Sequence, residues 1–312
     1  MDTLIDTSYT WEKASICFRS GNLLATPWCL GTYELVHPNK VEATWGGYTH
    51  TLTFTPDFKA FTSVRAQDGE TVTGTLVPKE AQSKIPSIRL DYKNAKCELC
   101  ELGRRYNVDK SSQRDNPGPD DSHHCHPYSL LYHALFSKRR QDPLTFCEIG
   151  IAEGRSLLMW NDYFPNAAIY GFEYLEKWLI NWYANYADRT RVHVNYMNVR
   201  TDETIIKPFL DTKVQYDCII DDSSHMFYDM IRIIRQGRSF LKPGGMLIIE
   251  DIRRSFDELW FWRELQDILD EFQLVTFVDL EHDRRNSGSV QNDKVLILIK
   301  KGAAPIIEFN LF

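Results

Sequence analysis

The pattern of apolar and polar positions divides the chain into two parts. Over residues 1–80, short runs alternate apolar with polar residues between turn residues, as at 31–36, 41–45 and 48–54. Such alternation is typical of half-buried strands, and Gln67-Asp68-Gly69 is a good hairpin turn between two more strands. We therefore predict a small antiparallel β domain at residues 1–80. Aromatic rings such as Trp45 and Tyr48 could stack on a sugar if they are exposed, although such rings more often belong to a core.

From residue 144, apolar runs of strand length alternate with segments of helix length. Seven runs predict strands, at 144–150, 168–173, 191–196, 216–221, 246–249, 274–280 and 294–299. Strands separated by helices form βαβ units and a mostly parallel sheet. The prediction is an α/β, Rossmann-like seven-stranded sheet with helices on both faces, at residues 144–302. Residues 81–143 are predicted as a linker and lead-in helices with a polar loop at 111–125, and 303–312 as a tail.

Composition narrows the class of protein without naming an activity. The 312 residues are 43% hydrophobic and 25% charged, which is ordinary for a globular protein. The net charge of −7 gives no general attraction to nucleic acid. No apolar run approaches the ~20 residues that span a bilayer, and the first residues lack a signal-peptide pattern. Seven scattered cysteines indicate free thiols and a reducing, cytoplasmic location.

Two predicted strands end in carboxylates. The first runs into Asp221, Asp222, two serines and His225, and the second into Glu250 and Asp251. Because ligands bind outside the carboxyl ends of strands in open α/β sheets, these side chains should share one crevice. Carboxylate oxygens suit a hard cation, so Asp222, Glu250 and Asp251 are predicted to bind Mg²⁺ (or Mn²⁺). His225 is predicted to act as a base beside that metal; the alternative is that these residues only cap helices.

A glycine-rich turn follows the first strand of the α/β region. Glu148, Gly150 and Gly154 have the spacing of a turn that brings the backbone close to a ligand, but not the GxGxxG spacing of the dinucleotide fingerprint. Glu173, at the end of the next strand, could accept hydrogen bonds from ribose hydroxyls. Both features occur in several nucleotide-binding families, and the acidic strand ends are what separate them.

A zinc site is an open alternative for one motif. Cys97-Glu98-Leu99-Cys100 and His123-His124-Cys125-His126 supply ligand types that zinc prefers. A helical pattern continues through the second cysteine, however, and the histidines lie in a loop without a second CxxC. Both observations argue against a structural zinc, which stays an alternative.

Taken together, three stretches resemble the class I S-adenosylmethionine-dependent methyltransferases. They are FCEIGIAEGRSLLMWNDYFPNAAIYGFE, YDCIIDDSSH and LKPGGMLIIEDI. Within that class, the chain resembles the metal-dependent sugar O-methyltransferases of the macrocin and mycinamicin type, whose lead-in is similar to YNVDKSS and HPYSLLYHALF here. The resemblance covers about residues 98–300 and leaves out the first 80, so a chain that starts near residue 82 is expected to keep donor binding.

The resemblance implies a role for each matching residue. The adenosylmethionine site would include Glu148, Gly150, Gly154, Ser156, Glu173, Asn198 and Asp221. Asp222, Glu250 and Asp251 match the metal ligands, and His225 with Asp222 the catalytic pair. The expected reaction is metal-assisted methylation of a hydroxyl on a sugar or glycan. The alternatives are a related antibiotic-tailoring or hydroxylase-type enzyme with a non-sugar acceptor, and a non-catalytic binding module with the same fold. A homo-oligomer is compatible with the sequence.

Overall fold

The computed structural model describes residues 4–5, 7–12, 14–19, 22–26, 28, 30–78, 85–114, 124–288 and 291–302. The predicted tail at 303–312 and most of the predicted loop at 111–125 lie outside these residues. The chain forms two compact units, one of residues 1–85 with 253–264, and the other of residues 86–252 with 265–312. No helix in the described part of the chain has the length and apolar character needed to cross a bilayer.

The first unit is an antiparallel meander of eight strands in sequence order. The strands are β1 Thr7–Trp11, β2 Ala14–Arg19, β3 Leu23–Ala25, β4 Leu30–His37, β5 Lys40–Trp45, β6 Tyr48–Phe54, β7 Ala60–Arg65 and β8 Thr71–Thr75. In β5, Val41, Ala43 and Trp45 are buried while the residues between them are exposed. Trp45 is therefore a core residue and not an exposed ring, whereas Tyr48 is exposed. A bridge between Tyr9 and Leu76 brings the first and last strands together. The predicted antiparallel β domain is confirmed.

The second unit is an α/β sheet flanked by helices. Its strands are β9 Ser87–Asp91, β10 Thr145–Ile149, β11 Ala168–Glu173, β12 Val192–Tyr196, β13 Tyr216–Asp221, β14 Leu241–Ile252, β15 Phe272–Glu281 and β16 Lys294–Lys300. Its helices are α1 Glu98–Arg105, α2 Tyr128–Phe136, α3 Arg155–Tyr163, α4 Glu176–Tyr186, α5 Asp202–Thr212 and α6 Phe227–Gly237, and α7 Glu258–Leu265 begins in the first unit. The strand order is β12-β11-β10-β13-β14-β16-β15-β9. Only β16 runs antiparallel to its neighbours.

The sheet has one strand more than the seven predicted. Strand β9 lies in the predicted linker and pairs parallel with β15 at the edge of the sheet. Three of its five residues are exposed and the other two, Ile88 and Leu90, are partly buried, so the strand lacks the apolar run that marks a buried one. Strand β14 also begins earlier than predicted, because Leu241 already pairs with Tyr216. The next pair is Cys218 with Met246, so residues 242–245 form an irregularity inside the strand.

Residues 253–264 belong to the same compact unit as the N-terminal meander. The indole N–H of Trp260, in α7, donates a hydrogen bond to the Ser15 hydroxyl, and Ser8 donates to the Asp257 carboxylate. Leu259 and Phe261 are buried. The predicted methyltransferase segment therefore contains an insertion that packs with the β domain.

Removal of residues 1–85 should expose the apolar side of α7. Leu259, Trp260 and Phe261 would lose the residues that cover them, and each buried side chain of this size contributes about 1.5–3 kcal/mol. We expect the truncated chain to elute from a size-exclusion column as an aggregate. The same truncation with serine at these three positions is the control and should elute as a smaller species. A monodisperse truncated chain without those changes would show that α7 is covered by other residues.

Candidate active site

Four parallel strands, β10, β11, β13 and β14, end at one edge of the sheet. Gly150 follows β10 with a φ of +85°. A Cβ atom at this position would lie 2.1 Å from the carbonyl oxygen of Asp222, so only glycine fits. The Asp222 N–H donates a hydrogen bond to the carbonyl of Ile149 at 2.8 Å. The turn after β13, which carries Asp222 and His225, is thus held against the end of β10.

A cavity of about 540 Å³ opens at this edge. The predicted site residues on its wall are Gly150, Glu173, Asn198, Asp222, His225 and Asp251. A smaller cavity of about 260 Å³ shares Gly150 and Asp222 with it and also reaches Ser156. The sheet therefore brings the glycine turn and the acidic strand ends together.

Glu173 is the last residue of β11 and lines the cavity. One of its carboxylate oxygens accepts a hydrogen bond from the N–H of Ala152 and the other from the N–H of Leu175, each at 2.8 Å. These bonds fix the carboxylate, and each oxygen retains a lone pair for a further donor. Asn198 lies on the same wall, where its side-chain oxygen accepts from the N–H of Arg200 at 3.0 Å.

Three residues predicted for the adenosylmethionine site have other contacts and line neither cavity. Glu148 is fully buried and accepts a hydrogen bond from the indole N–H of Trp160 at 3.0 Å. A Cβ on Gly154 would lie 2.5 Å from the Trp182 ring, so packing against Trp182 requires this glycine. The carboxylate of Asp221 accepts hydrogen bonds from the N–H and hydroxyl of Ser223, and burial raises its pKa to about 6.

Asp222, His225 and Asp251 form the acidic group of the site. One ligand-type atom from each lies within 4.8 Å of the other two. His225 Nε2 is 4.0 Å from Asp222 Oδ1 and 3.8 Å from Asp251 Oδ2, and the His225 side chain is 40% exposed. His225 and Asp251 have φ values of +54° and +55°. This conformation costs a non-glycine residue about 1–3 kcal/mol and is concentrated at functional sites.

Glu250 does not join this group. Its two carboxylate oxygens accept hydrogen bonds from the Lys110 ammonium and from the Tyr132 hydroxyl. Asp251 lines the cavity, whereas Glu250 is buried and does not. Among the described residues, the group of potential ligand atoms that lie within 4.8 Å of one another is Asp222, His225 and Asp251, without Glu250. The metal set of Asp222, Glu250 and Asp251 stays a prediction.

Lys110 is the main feature that the sequence did not predict. Its ammonium donates hydrogen bonds to Asp222 and Glu250 and lies 3.2 Å from a Glu148 oxygen. Burial lowers the pKa of Lys110, but these three carboxylates outweigh burial and hold that pKa well above its ordinary value. Burial raises the pKa of Asp222 to about 7, an effect that Lys110 opposes and the Asp251 charge reinforces. Three carboxylates contact this one ammonium, so the cluster favours an additional cation.

Two further side chains orient Asp251. The Tyr128 hydroxyl donates to Asp251 Oδ1 at 2.7 Å, and the His126 ring stacks on the Tyr128 ring at 4.9 Å. His126 Nδ1 lies 2.7 Å from Asp293. Burial lowers the pKa of His126, but Asp251 and Asp293 raise it more, to about 9. In the sequence, these residues and Lys110 were indicated only by the resemblance of the lead-in segment, in which they form His126-Pro127-Tyr128 and Asp109-Lys110.

The zinc alternative lacks support among the described residues. The only group of three or more metal-ligand side chains there is Asp222, His225 and Asp251. His126 faces Asp293 and Asp251, while Cys97 and Cys100 face each other. His123 lies outside the described residues.

The chain is similar in sequence to sugar O-methyltransferases. The 8-demethyl-8-alpha-L-rhamnosyl tetracenomycin-C 2'-O-methyltransferase of Streptomyces olivaceus is 27% identical over 153 residues, 47% of this chain and 37% of the relative. The mycinamicin VI 2''-O-methyltransferase of Micromonospora griseorubida is 25% identical over 190 residues, 56% of this chain and 41% of the relative. The predicted resemblance is confirmed. The chain matches less than half the length of each of these relatives.

No protein-family model matches the chain. Among solved structures, the MycE methyltransferase from the mycinamycin biosynthetic pathway, in complex with Mg, SAH and mycinamycin VI, aligns with a TM-score of 0.47. It is 20% identical, and the alignment covers 67% of this chain and 55% of that chain.

Proposed function

We propose that this protein is an S-adenosylmethionine-dependent O-methyltransferase that methylates a hydroxyl group of a sugar or glycan. The observation that carries the proposal is the composition of the larger cavity. Gly150 and Glu173 bound it at the ends of β10 and β11, and Asp222, His225 and Asp251 bound it at the ends of β13 and β14. The wall formed by Gly150 and Glu173 suits a nucleoside-type donor. The wall formed by Asp222, His225 and Asp251 suits an acceptor hydroxyl. The sugar O-methyltransferases similar in sequence support a sugar acceptor.

The donor side has the features that an adenosyl ligand requires. Its volume of about 540 Å³ lies within the usual range of small-molecule sites, about 300–1,000 Å³. Glu173 is held in place by two backbone N–H groups and can accept hydrogen bonds from ribose hydroxyls. Phe172 and Trp178 add apolar lining. These features support adenosylmethionine as the donor.

The acceptor side has the donor atoms and the charge that suit Mg²⁺ or Mn²⁺. Asp222 and Asp251 would hold the cation through carboxylate oxygens, the ligands that hard divalent cations prefer. The excess of carboxylates around Lys110 supports an additional positive charge there. When bound, adenosylmethionine supplies an electrophilic methyl group and the cation lowers the pKa of the acceptor hydroxyl.

The protein's own residues have three tasks in this scheme. His225 Nε2, next to both aspartates, accepts the proton of the acceptor hydroxyl as a general base. Lys110 fixes the Asp222 carboxylate, and Tyr128 fixes Asp251. The close contact of Gly150 with the turn of Asp222 sets the distance between the donor and acceptor walls. Alignment of this kind can supply several kcal/mol of rate enhancement.

The direct test is methyl transfer from adenosylmethionine with an isotopically labelled methyl group. The acceptors are those in the relatives' names, rhamnosyl tetracenomycin C and mycinamicin VI, with their unglycosylated aglycones as controls. We expect label in an O-methyl group of the sugar when Mg²⁺ is present. Label on the aglycone alone would contradict a sugar acceptor. If no methyl group is transferred and the protein binds neither adenosylmethionine nor adenosylhomocysteine, the methyltransferase activity itself is contradicted.

Gly150→Ala should abolish donor binding. The added methyl would meet the Asp222 carbonyl at 2.1 Å, and the φ of +85° is unfavourable for alanine, so the turn must move. Calorimetry with adenosylhomocysteine measures the effect. Gly69→Ala is a matched control, because Gly69 has a φ of +77° but no atom within 4 Å of the added methyl. Equal affinity in the wild type and Gly150→Ala would contradict this account of the donor wall.

Asp251→Asn should remove metal-dependent turnover but keep the donor. Loss of one carboxylate weakens a cation site built on oxygen ligands, and metal assistance is worth several kcal/mol, on the order of 10²-fold or more in rate. Chelation of the wild type with EDTA should give the same loss, with recovery on addition of Mg²⁺. Asp211→Asn, on the exposed surface of α5, is the control. Full activity of the wild type in EDTA would exclude a metal-assisted step.

A further inference from the structure

Cys97 and Cys100 form a close pair of thiols at the beginning of α1. Their Sγ atoms lie 2.9 Å apart, and Cys97 Sγ also accepts a hydrogen bond from the N–H of Cys100 at 3.3 Å. Neither is bonded to another cysteine. A disulfide has a sulfur–sulfur distance of about 2.05 Å, so the sulfurs need to approach by less than about 1 Å.

The two thiols differ in accessibility and in acidity. Cys97 is half-buried, whereas Cys100 is 1% exposed, so a reagent from solvent meets Cys97 first. The hydrogen bond between the two sulfurs lowers the pKa of the Cys100 thiol and raises that of Cys97, so the pair releases its first proton well before its second. The positive end of the α1 dipole also favours negative charge on the pair. A proton shared between the sulfurs can pass to Cys100 when Cys97 attacks.

We propose that Cys97 and Cys100 are a thiol–disulfide exchange site that takes small-molecule disulfides. With one proton already lost from the pair, the Cys97 sulfur attacks one sulfur of a disulfide RSSR while its own proton passes to the Cys100 thiolate. The released RS⁻ takes up a proton from solvent. The Cys100 sulfur then attacks Cys97 in the mixed disulfide, forms the Cys97–Cys100 bond and releases a second RSH. The pair loses two electrons and two protons, and RSSR gains them. The inference goes beyond methyl transfer and does not depend on it.

The pair is part of the network that holds the backbone of Lys110. The Cys97 thiol donates to the carbonyl of Ser129 at 3.5 Å. Both the N–H and the hydroxyl of Ser129 donate to the carbonyl of Lys110, each at 2.8 Å. On the other side, the hydroxyl of Ser111 donates to the carbonyl of Cys100 at 2.9 Å. A disulfide removes the Cys97 S–H donor, so oxidation should reach the segment that contains Lys110.

The test is reaction of the folded, full-length chain with oxidised glutathione, followed by alkylation and peptide mass spectrometry. We expect the peptide with Cys97 and Cys100 to lose two hydrogen atoms, to resist alkylation, and to recover on addition of dithiothreitol. Cys147 and Cys218 are internal controls, because both are buried in strands and burial raises their thiol pKa well above the ordinary value. They should alkylate only after denaturation.

Single variants separate the proposal from unspecific oxidation. Cys100→Ser should stop at a stable glutathione adduct on Cys97, and Cys97→Ser should form no adduct at Cys100. If Cys100→Ser does not fold, the wild-type time course still decides, because a transient Cys97 adduct must precede the loss of two hydrogens. A wild-type pair that remains fully alkylatable, or that accumulates the adduct without closing, would overturn the proposal.

Amide hydrogen exchange tests the connection to Lys110. Peptides that cover residues 106–114 and 128–132 should exchange faster in the oxidised chain than in the reduced chain. In Cys97→Ser the same oxidant should leave these peptides unchanged. Identical exchange in the oxidised and reduced wild type would show that the disulfide does not reach the Lys110 segment.

Discussion

His225→Ala lowers turnover by about 10²–10⁴-fold, the usual contribution of a positioned general base, and leaves the affinities for adenosylhomocysteine and Mg²⁺ unchanged. The expectation follows from the position of the ring. Its Nε2 atom lies 4.0 Å and 3.8 Å from the two aspartates proposed to hold the cation, and its side chain faces the cavity. The measurement is the rate of adenosylhomocysteine release at saturating donor.

The ligand titrations distinguish a base from a metal ligand. If His225 binds the cation, then His225→Ala should weaken Mg²⁺ binding and excess Mg²⁺ should restore part of the rate. His193→Ala is the matched control, because His193 lies on β12 next to a different cavity. Unchanged turnover in His225→Ala would remove the general base from the proposed mechanism.

Lys110→Met lowers the free energy of unfolding by about 3–5 kcal/mol, the usual cost of breaking a buried ion pair by removal of one partner. The ammonium lies between two fully buried carboxylates, Glu148 and Glu250, and also binds Asp222. Methionine fills a similar volume but leaves these charges without their cation. Urea unfolding followed by far-ultraviolet circular dichroism measures the change. The urea concentration at the midpoint should fall, while the dependence of the unfolding free energy on urea concentration stays nearly constant.

A surface lysine gives the comparison. Lys207 pairs with Asp211 at 2.6 Å, but both side chains are mostly exposed, so Lys207→Met should change stability by less than about 1 kcal/mol. The double change of Lys110→Met with Glu250→Gln should recover part of the loss, because one unpaired charge is removed. A Lys110→Met chain as stable as the wild type would show that the buried carboxylates are protonated in the native state.

The strands that position the site can be predicted from the sequence because their signal is local. Ile219 and Ile220, like Ile248 and Ile249, form buried apolar runs that end abruptly at acidic residues. Parallel strands place such ends at one edge, so the order of residues along the chain is enough to predict that the acids and His225 share one crevice. Gly150 is predicted in the same way, since a glycine directly after a strand marks a close backbone approach.

Only the tertiary structure decided which acids face the cavity and what neutralises the others. Glu250 and Asp251 are neighbours in sequence, but Glu250 lies on the buried side, where Lys110 and Tyr132 bind it. Lys110 is 140 residues from Glu250, and β9 is 190 residues from its partner in β15. Pairings over such separations leave no periodic pattern in the chain. The sequence by itself determined the strands and the types of side chain at their ends, while long-range packing selected the cavity wall and placed a buried ammonium behind it.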